Sequence, residues 1–333
     1  TFSFCFIYLF YYKGGDTLNY YQGVRAFYNL FWENPSDFYY VMTHDGNWNF
    51  YNVFTNATGY PPHYMFRDSR TILVLKLTTI LSLPALGGFL STSVILAKIS
   101  YSWIWKGFLF IANRYPAMKK QLAFSFLFFP SVIFWGSGIM KDTFTLSACI
   151  FSIYGIHDIF IEKKHRIKNT LKTLVAIYII ISIKSYILFA ILPGLIIFFN
   201  HERIRNIKST FFKILVVPII LISTIFISEL FFSKFANQFG KYSADKILKE
   251  AALQQSDLIR DVYGKNSFDI GALDQTWRGA ISKAPVAINA ALFRPYLWEV
   301  GSPTMLISAI ENSIILFTIL YLAIRIGPIN FFK

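Results

Sequence analysis

A single acidic residue follows two glycines near the start of the chain, in Gly14-Gly15-Asp16, directly after an apolar run. Glycine has no side chain, so the backbone there can approach a ligand closely. A carboxylate in that place can act as a general base toward a hydroxyl group. The alternative is that Asp16 only caps the helix that follows. The sequence leaves both roles open, and the two can coexist.

A second candidate is the Lys141-Asp142 pair, which ends the segment 130–142 between two apolar runs. Gly136 and Gly138 leave room for a ligand in this segment. Lys141 can hold a phosphate group and Asp142 can orient it. The two side chains can instead reach the membrane surface and merely neutralise each other.

Lys184 lies in the middle of the apolar stretch 173–199. A charged side chain at the centre of a membrane helix costs about 2.5–3.5 kcal/mol on insertion scales, so such a residue is a functional candidate. Lys184 must therefore meet a partner, a polar cavity or an anion.

Three further charged residues lie near the C-terminal end of the chain. Arg294 and Glu299 flank an aromatic tetrapeptide, and Glu311 lies inside the last apolar run. An arginine fork suits a phosphate because it donates two parallel hydrogen bonds. Arg294 and Glu299 can also simply pair with each other. We predict that Arg294, Glu299 and Glu311 contribute to substrate binding.

The composition indicates which elements must position these residues. Aliphatic and aromatic residues make up 55% of 333 positions, more than the interior of a soluble domain of this length can hold. Several apolar runs reach the roughly 20 residues needed to cross a bilayer. The net charge of +14 lies in short segments between these runs, which indicates cytoplasmic loops and not a nucleic-acid partner. We therefore predict an all-α polytopic integral membrane protein with one transmembrane domain, 1–333.

The predicted architecture has about eight hydrophobic helical segments and two long external loops, 13–70 and 230–302. The first run begins without Met, so we expect a truncated first span with a cytoplasmic N-terminus. Apolar runs place six of the segments at 1–12, 72–97, 121–138, 143–161, 211–229 and 303–324.

The basic segments 98–120, 162–172 and 200–213 are predicted to be cytoplasmic. The stretch 173–199 must then enter and leave the membrane on the cytoplasmic side. This parity predicts a hairpin of two short helices, 173–183 and 185–199, with Lys184 near the turn. Broken helices are tolerated at membrane depth where protein or a water-filled cavity satisfies the freed backbone groups.

Both external loops are predicted to contain helices. Tyr20, Val24, Phe27 and Phe31 recur at helical spacing, which indicates an amphipathic helix on the outer surface. In the second loop, Ser243 can cap a helix over 244–262.

Several other signals are missing from the sequence. No Walker A pattern and no HExxH motif occurs, and the five histidines are scattered. We predict no cofactor and no metal ligand, while a divalent-ion requirement stays open. The two cysteines, Cys5 and Cys149, lie in apolar runs and are assigned no role.

An acidic residue just after a first membrane helix, followed by amphipathic external helices, resembles the GT-C glycosyltransferases. The broad layout is also similar to bacterial polysaccharide polymerases of the Wzy and EpsG-like type. The Gly15-Asp16…Tyr20 start and the segment 130–142 carry the similarity. The resemblance implies that Asp16 is the catalytic carboxylate. Many GT-C enzymes have an acidic pair, whereas Thr17 follows Asp16 here.

These observations predict glycosyl transfer or polysaccharide polymerisation at the outer face of a bacterial inner membrane. The partners would be a polyprenyl-phosphate-linked sugar, a glycan acceptor and membrane lipids, with no nucleic acid. Two alternatives remain: a transporter or flippase of a lipid-linked glycan, and a non-catalytic envelope scaffold. In the leading hypothesis Asp16 is the catalytic base, and the substrate-binding residues are Lys141, Asp142, Lys184, Arg294, Glu299 and Glu311.

Overall fold

The computed structural model describes residues 1–44, 48–162, 166–234, 246–258, 269 and 271–327. Every regular element in these ranges is a helix. The chain forms two compact units, Thr1–Thr224 and Ile225–Lys333. Up to the unit boundary, which α10 crosses, the helices are α1 Phe2–Phe6, α2 Asp16–Glu33, α3 Pro35–Thr43, α4 Ser69–Ser82, α5 Phe89–Arg114, α6 Lys119–Ala123, α7 Pro130–Trp135, α8 Lys141–His157, α9 Arg166–Arg205 and α10 Thr210–Lys234.

Four stretches of the described helices are long and apolar enough to cross a membrane, by length and composition. This finding agrees with the predicted all-α membrane class, while the predicted number of about eight segments stays a prediction. Two shorter apolar helices accompany them, at Phe2–Tyr12 and Pro218–Phe231. The four long stretches are Phe89–Arg114, Lys141–Phe160, Ile167–Asn200 and Pro303–Ile326.

The predicted span 72–97 is wrong, because the chain breaks between α4 and α5. The break contains Pro84, which has no N–H to donate to a helix. Leu86 and Gly87 follow with φ angles of +54° and +65°, which end the right-handed helix. The second helix, α5, then continues to Arg114 through most of the predicted cytoplasmic loop 98–120.

The basic residue Lys106 explains why residues 98–114 were predicted to be a loop and not a helix. Lys106 does not lie in water at a loop but places its ammonium 5.5 Å from the centre of the Phe151 ring. The aromatic ring can accommodate the charge through a cation–π contact. Lys106 can therefore lie within a helix, and its charge does not indicate a loop. The predicted span 121–138 is also interrupted, since Phe129 is extended before Pro130, as residues preceding proline usually are.

The other predicted spans correspond to helices. Segments 143–161, 211–229 and 303–324 fall on α8, α10 and the last helix of the second unit. The segment 1–12 is helical from Phe2, with wider turns from Ile7 to Tyr12.

The helix α9 is broken at Lys184, whose φ and ψ angles are −141° and 68°. Before the break, Thr173 packs so closely on Gly155 of α8 that a methyl group at Gly155 would overlap its hydroxyl. After the break, the Phe199 ring stacks on His157 at 6.0 Å between centroids. Both ends of this stretch therefore lie at the C-terminal end of α8.

A straight helix would separate residues 173 and 199 by about 39 Å, at 1.5 Å per residue. The side chain of Lys184 reaches Asp142 at the N-terminal end of α8 instead. The chain thus runs along α8 to Lys184 and returns beside it. The reversal lies at the residue that the sequence predicts.

The predicted amphipathic helix of the first external loop is α2. It buries Tyr20, Val24 and Phe27, and Phe31 is partly buried. Gly23 lets α2 approach α4, because a methyl group there would lie 2.8 Å from a methyl carbon of Leu75. The loop 13–70 is accordingly a packed, mainly helical layer next to the N-terminal end of α8.

The second unit contains α11 Ile247–Leu258, α12 Trp277–Phe293 and α13 Pro303–Ile326. The first of these confirms the middle of the helix predicted at 244–262. Ser243 and residues 259–262 lie outside the described residues.

Candidate active site

Asp16 is the first residue of α2, and Gly15 precedes it as the N-cap with a φ of +101°. The Asp16 side chain makes no capping hydrogen bond and is exposed. Within the described ranges its carboxylate has no hydrogen bond or ion pair. Asp16 is therefore available to a ligand and does not act as the cap that the sequence left open.

Lys141 begins α8 and places its Nζ atom 2.7 Å from Oδ2 of Asp68. Asp68 is the N-cap of α4, where it accepts hydrogen bonds from the backbone N–H of Arg70 and the hydroxyl of Thr71. These bonds hold the carboxylate in one orientation toward the lysine. Asp68 was not predicted from the sequence as a site residue, because an acidic residue before a helix indicates only a cap.

Lys184 forms the second ion pair, with its Nζ atom 2.6 Å from Oδ1 of Asp142. Adjacent residues Lys141 and Asp142 thus pair with two different partners and do not neutralise each other. The backbone break at Lys184 brings its side chain to the first turn of α8, where the helix dipole also favours a carboxylate.

Both pairs are partly open to solvent. The lysine side chains are each 23% exposed, and the Asp68 and Asp142 side chains are 35% and 41% exposed. Next to Lys184, the Ser185 hydroxyl is fully buried and has no hydrogen-bond partner in the described part of the chain. A buried polar atom without a partner is uncommon and calls for an explanation such as an ordered water.

Tyrosines connect Asp16 with the two ion pairs. Tyr8 lies within electrostatic range of Asp16 and Asp142, and Tyr20 lies within range of Asp16 and Asp68. Five charged groups from α2, α4, α8 and the break in α9 therefore share one neighbourhood. Burial raises the pKa of Tyr20 well above its ordinary value, and both carboxylates act in the same direction, against a hydrogen bond with Thr71. This phenol is neutral at physiological pH.

The neighbourhood can receive an anion even though the lysines are paired. Each ammonium group carries three donors and uses one of them for its aspartate. Partly exposed ion pairs contribute about 0–1 kcal/mol each, so an incoming phosphate can share or displace the carboxylates at low cost.

Arg294 and Glu299 face each other in the second unit. The arginine Nε and Nη2 atoms lie 3.0 and 2.5 Å from the two carboxylate oxygens. Burial disfavours the charged carboxylate, but hydrogen bonds from Arg294 and the Tyr296 backbone N–H hold the pKa of Glu299 below its ordinary value. Arg294 and Glu299 therefore pair with each other, which is one of the two roles that the sequence left open, and Glu299 uses the two parallel donors of the arginine. Glu311 is buried in α13, and its neighbour Asn312 donates to the Arg294 carbonyl oxygen.

No group of three or more metal-binding side chains is close enough to hold an ion among the residues that the structure describes. Cys5 is buried, Cys149 is partly buried, and neither thiol is in a disulfide.

The chain was compared with protein families, curated proteins and solved structures. No family model matches it. No curated protein matches it. No solved structure matches it either.

Proposed function

We propose that the protein transfers a glycosyl group from a polyprenyl-phosphate-linked sugar to a glycan acceptor at the outer face of the membrane. The observation that carries the proposal is the exposed Asp16 carboxylate, which has no partner in the described ranges. Tyr8 and Tyr20 lie within electrostatic range of Asp16 and of Asp142 and Asp68, which are the partners of Lys184 and Lys141. A base without a partner near two ion-paired lysines suits a reaction that removes a proton and releases a phosphate.

In this proposal Asp16 accepts the proton of the acceptor hydroxyl as the oxygen attacks the anomeric carbon of the donor sugar. The bond between that carbon and the phosphate oxygen breaks at the same time. The lipid phosphate leaves with the electron pair of the bond. The proton is later returned from Asp16 to water.

Lys141 and Lys184 would hold the lipid phosphate and stabilise the negative charge that develops on it as it leaves. Preorganised cations aimed at developing charge supply much of the rate enhancement in many enzymes. Asp68 and Asp142 position the two ammonium groups before substrate arrives and share them with the phosphate when it binds.

The substrate-binding roles predicted for Arg294, Glu299 and Glu311 form a separate part of the proposal. Arg294 and Glu299 already satisfy each other, so we assign them mainly to shaping the segment that precedes α13.

One observation favours a second candidate, a flippase or transporter of a lipid-linked glycan. Helices that break at membrane depth commonly surround substrate sites in transporters, and α9 breaks at a lysine. A transporter needs the two lysines to bind the phosphate but needs no general base at Asp16.

The decisive experiment measures sugar transfer from a polyprenyl-linked donor in membranes that contain the wild-type protein, Asp16→Asn or Asp37→Asn at equal levels. Asp37 is the control, because it is also an aspartate in the first turn of a helix, where it is partly buried and accepts a hydrogen bond from Asn34. We expect activity in the wild type and Asp37→Asn, and loss of activity in Asp16→Asn.

Full transfer by Asp16→Asn would refute the assignment of the base. Movement of the lipid-linked glycan across the bilayer without any transfer would support the flippase. If no variant changes either measurement, the scaffold hypothesis from the sequence would be favoured.

A further inference from the structure

The turn between α4 and α5 borders an open apolar groove of about 460 Å³. The groove lies between Phe2 and the first two turns of α5, where Leu90 and Val94 are each about 40% exposed. Ser91 is the one hydroxyl residue in the lining, and it donates to the carbonyl oxygens of Ala85 and Gly88. The walls therefore offer an apolar surface to whatever fills the groove.

A positively charged side chain lies beside this turn. The Nη1 atom of Arg25 donates to the carbonyl oxygen of Gly87 at 3.0 Å in a partly buried hydrogen bond, while the arginine residue as a whole is exposed. It also lies 5.4 Å from the centre of the Tyr28 ring. Its other four N–H donors have no partner in the described part of the chain, so they remain available to an anion.

The arginine and the groove follow each other along the chain as the phosphate and the acyl chain follow each other in a phospholipid. Helix α5 is long and apolar enough to cross the membrane, and the turn at Gly87 precedes its first residue. Leu90 and Val94 are the second and sixth residues of that span, in its first and second turns. A lipid phosphate beside Arg25 would therefore sit at the membrane surface while one hydrocarbon chain follows α5 inward.

We propose that this groove binds an anionic glycerophospholipid, with its phosphate at Arg25 and one acyl chain along α5. The apolar walls alone cannot select a lipid, because lipid tails are equally apolar outside the groove. Selectivity must come from the headgroup, where a guanidinium favours a net negative lipid over a zwitterionic one. The proposal does not depend on the reaction at Asp16.

The test uses the purified full-length chain in mixed detergent and lipid micelles. Binding of phosphatidylglycerol and of phosphatidylcholine with identical acyl chains is measured by native mass spectrometry and by thermal unfolding. We expect wild-type protein to bind phosphatidylglycerol about fivefold more tightly, the preference that one basic residue near an anionic surface provides. Arg25→Gln should abolish this preference, and Arg25→Lys should retain part of it.

Arg325→Gln is the matched control. Arg325 also lies over a tyrosine ring, that of Tyr321 at 5.9 Å, near the end of an apolar helix. This control should keep the full preference. Arg25→Gln should still fold, because Tyr21 also donates to the Gly87 carbonyl oxygen and holds the turn. Val94→Trp, or Leu90→Trp if the first variant is unstable, should fill the groove and reduce retention of both lipids.

A wild-type protein with no headgroup preference would overturn the proposal, as would Arg25→Gln with an unchanged preference. Displacement of phosphatidylglycerol by an equimolar polyprenyl phosphate would also overturn it, because the groove would then belong to a polyprenyl lipid. Loss of sugar transfer in Asp16→Asn with an intact lipid preference would separate the two proposals.

Discussion

The Nζ atom of Lys184 lies 2.6 Å from Oδ1 of Asp142, so the break in α9 is joined to the first turn of α8. The pair lies where the chain reverses and where α8 begins. The position of the Lys184 ammonium group is therefore tied to the reversal of α9. We expect that weakening the ion pair destabilises the reversal.

The first prediction concerns this pair. Lys184→Met and Asp142→Asn should each destabilise the protein, and their double-mutant cycle should give a coupling free energy of about 0.2–1 kcal/mol, because the pair is partly exposed. Thermal unfolding in detergent measures the three variants. A coupling free energy of zero would show that the two side chains do not interact in solution.

The second prediction separates the two roles of Asp68. Asp68→Asn keeps an oxygen that can cap α4 but removes the charge that pairs with Lys141, whereas Asp68→Ala removes both. We expect Asp68→Ala to be less stable than Asp68→Asn by about 1 kcal/mol, the usual contribution of an N-cap. Equal stabilities would mean that the cap contributes nothing. Sugar transfer should fall in both variants, since Lys141 loses its positioning partner.

The third prediction tests the close packing of α1. A methyl group at Gly138 would overlap the Phe4 ring, so Gly138→Ala should cost about 1–3 kcal/mol through overpacking. Adding Phe4→Leu should recover part of this loss. Gly194→Ala is the control, because nothing lies within 4 Å of the added carbon. Gly194→Ala should be neutral or stabilising. Thermal unfolding compares the stability of Gly194→Ala with that of Gly138→Ala.

The fourth prediction is a pH dependence of the second unit. The pKa of Glu299 is lower in the folded state than its ordinary value of 4.5. The unfolded state therefore binds the proton more readily, so the pair stabilises the fold above pH 4.5 and this contribution is lost as the pH falls below it. Limited proteolysis of the segment before α13 between pH 3 and 6 measures this loss. Glu299→Gln should remove the pH dependence, and a wild-type profile in that variant would contradict it.

The sequence predicted those features that follow from apolar content and from a misplaced charge. The break and the reversal at Lys184 were predicted from a charge inside an apolar run together with the alternation of predicted cytoplasmic and external loops. The interruption at Pro84 and Gly87 was missed, because average hydropathy hides a proline and two glycines inside a long apolar run.

The pairing partners could not be predicted in the same way. Asp68 lies 73 residues before Lys141, and Asp142 lies 42 residues before Lys184. Only the packing of α4 and α9 against the start of α8 brings them together. Lys106 was assigned to a loop because charge alone cannot reveal that the Phe151 ring accepts it.

The reversal at Lys184 also has a consequence for how the protein is made. Asp142 leaves the ribosome before Lys184, so the acid is already present when the basic residue is synthesised. The ion pair can then form as soon as Lys184 is synthesised, before the second half of α9 folds back along α8.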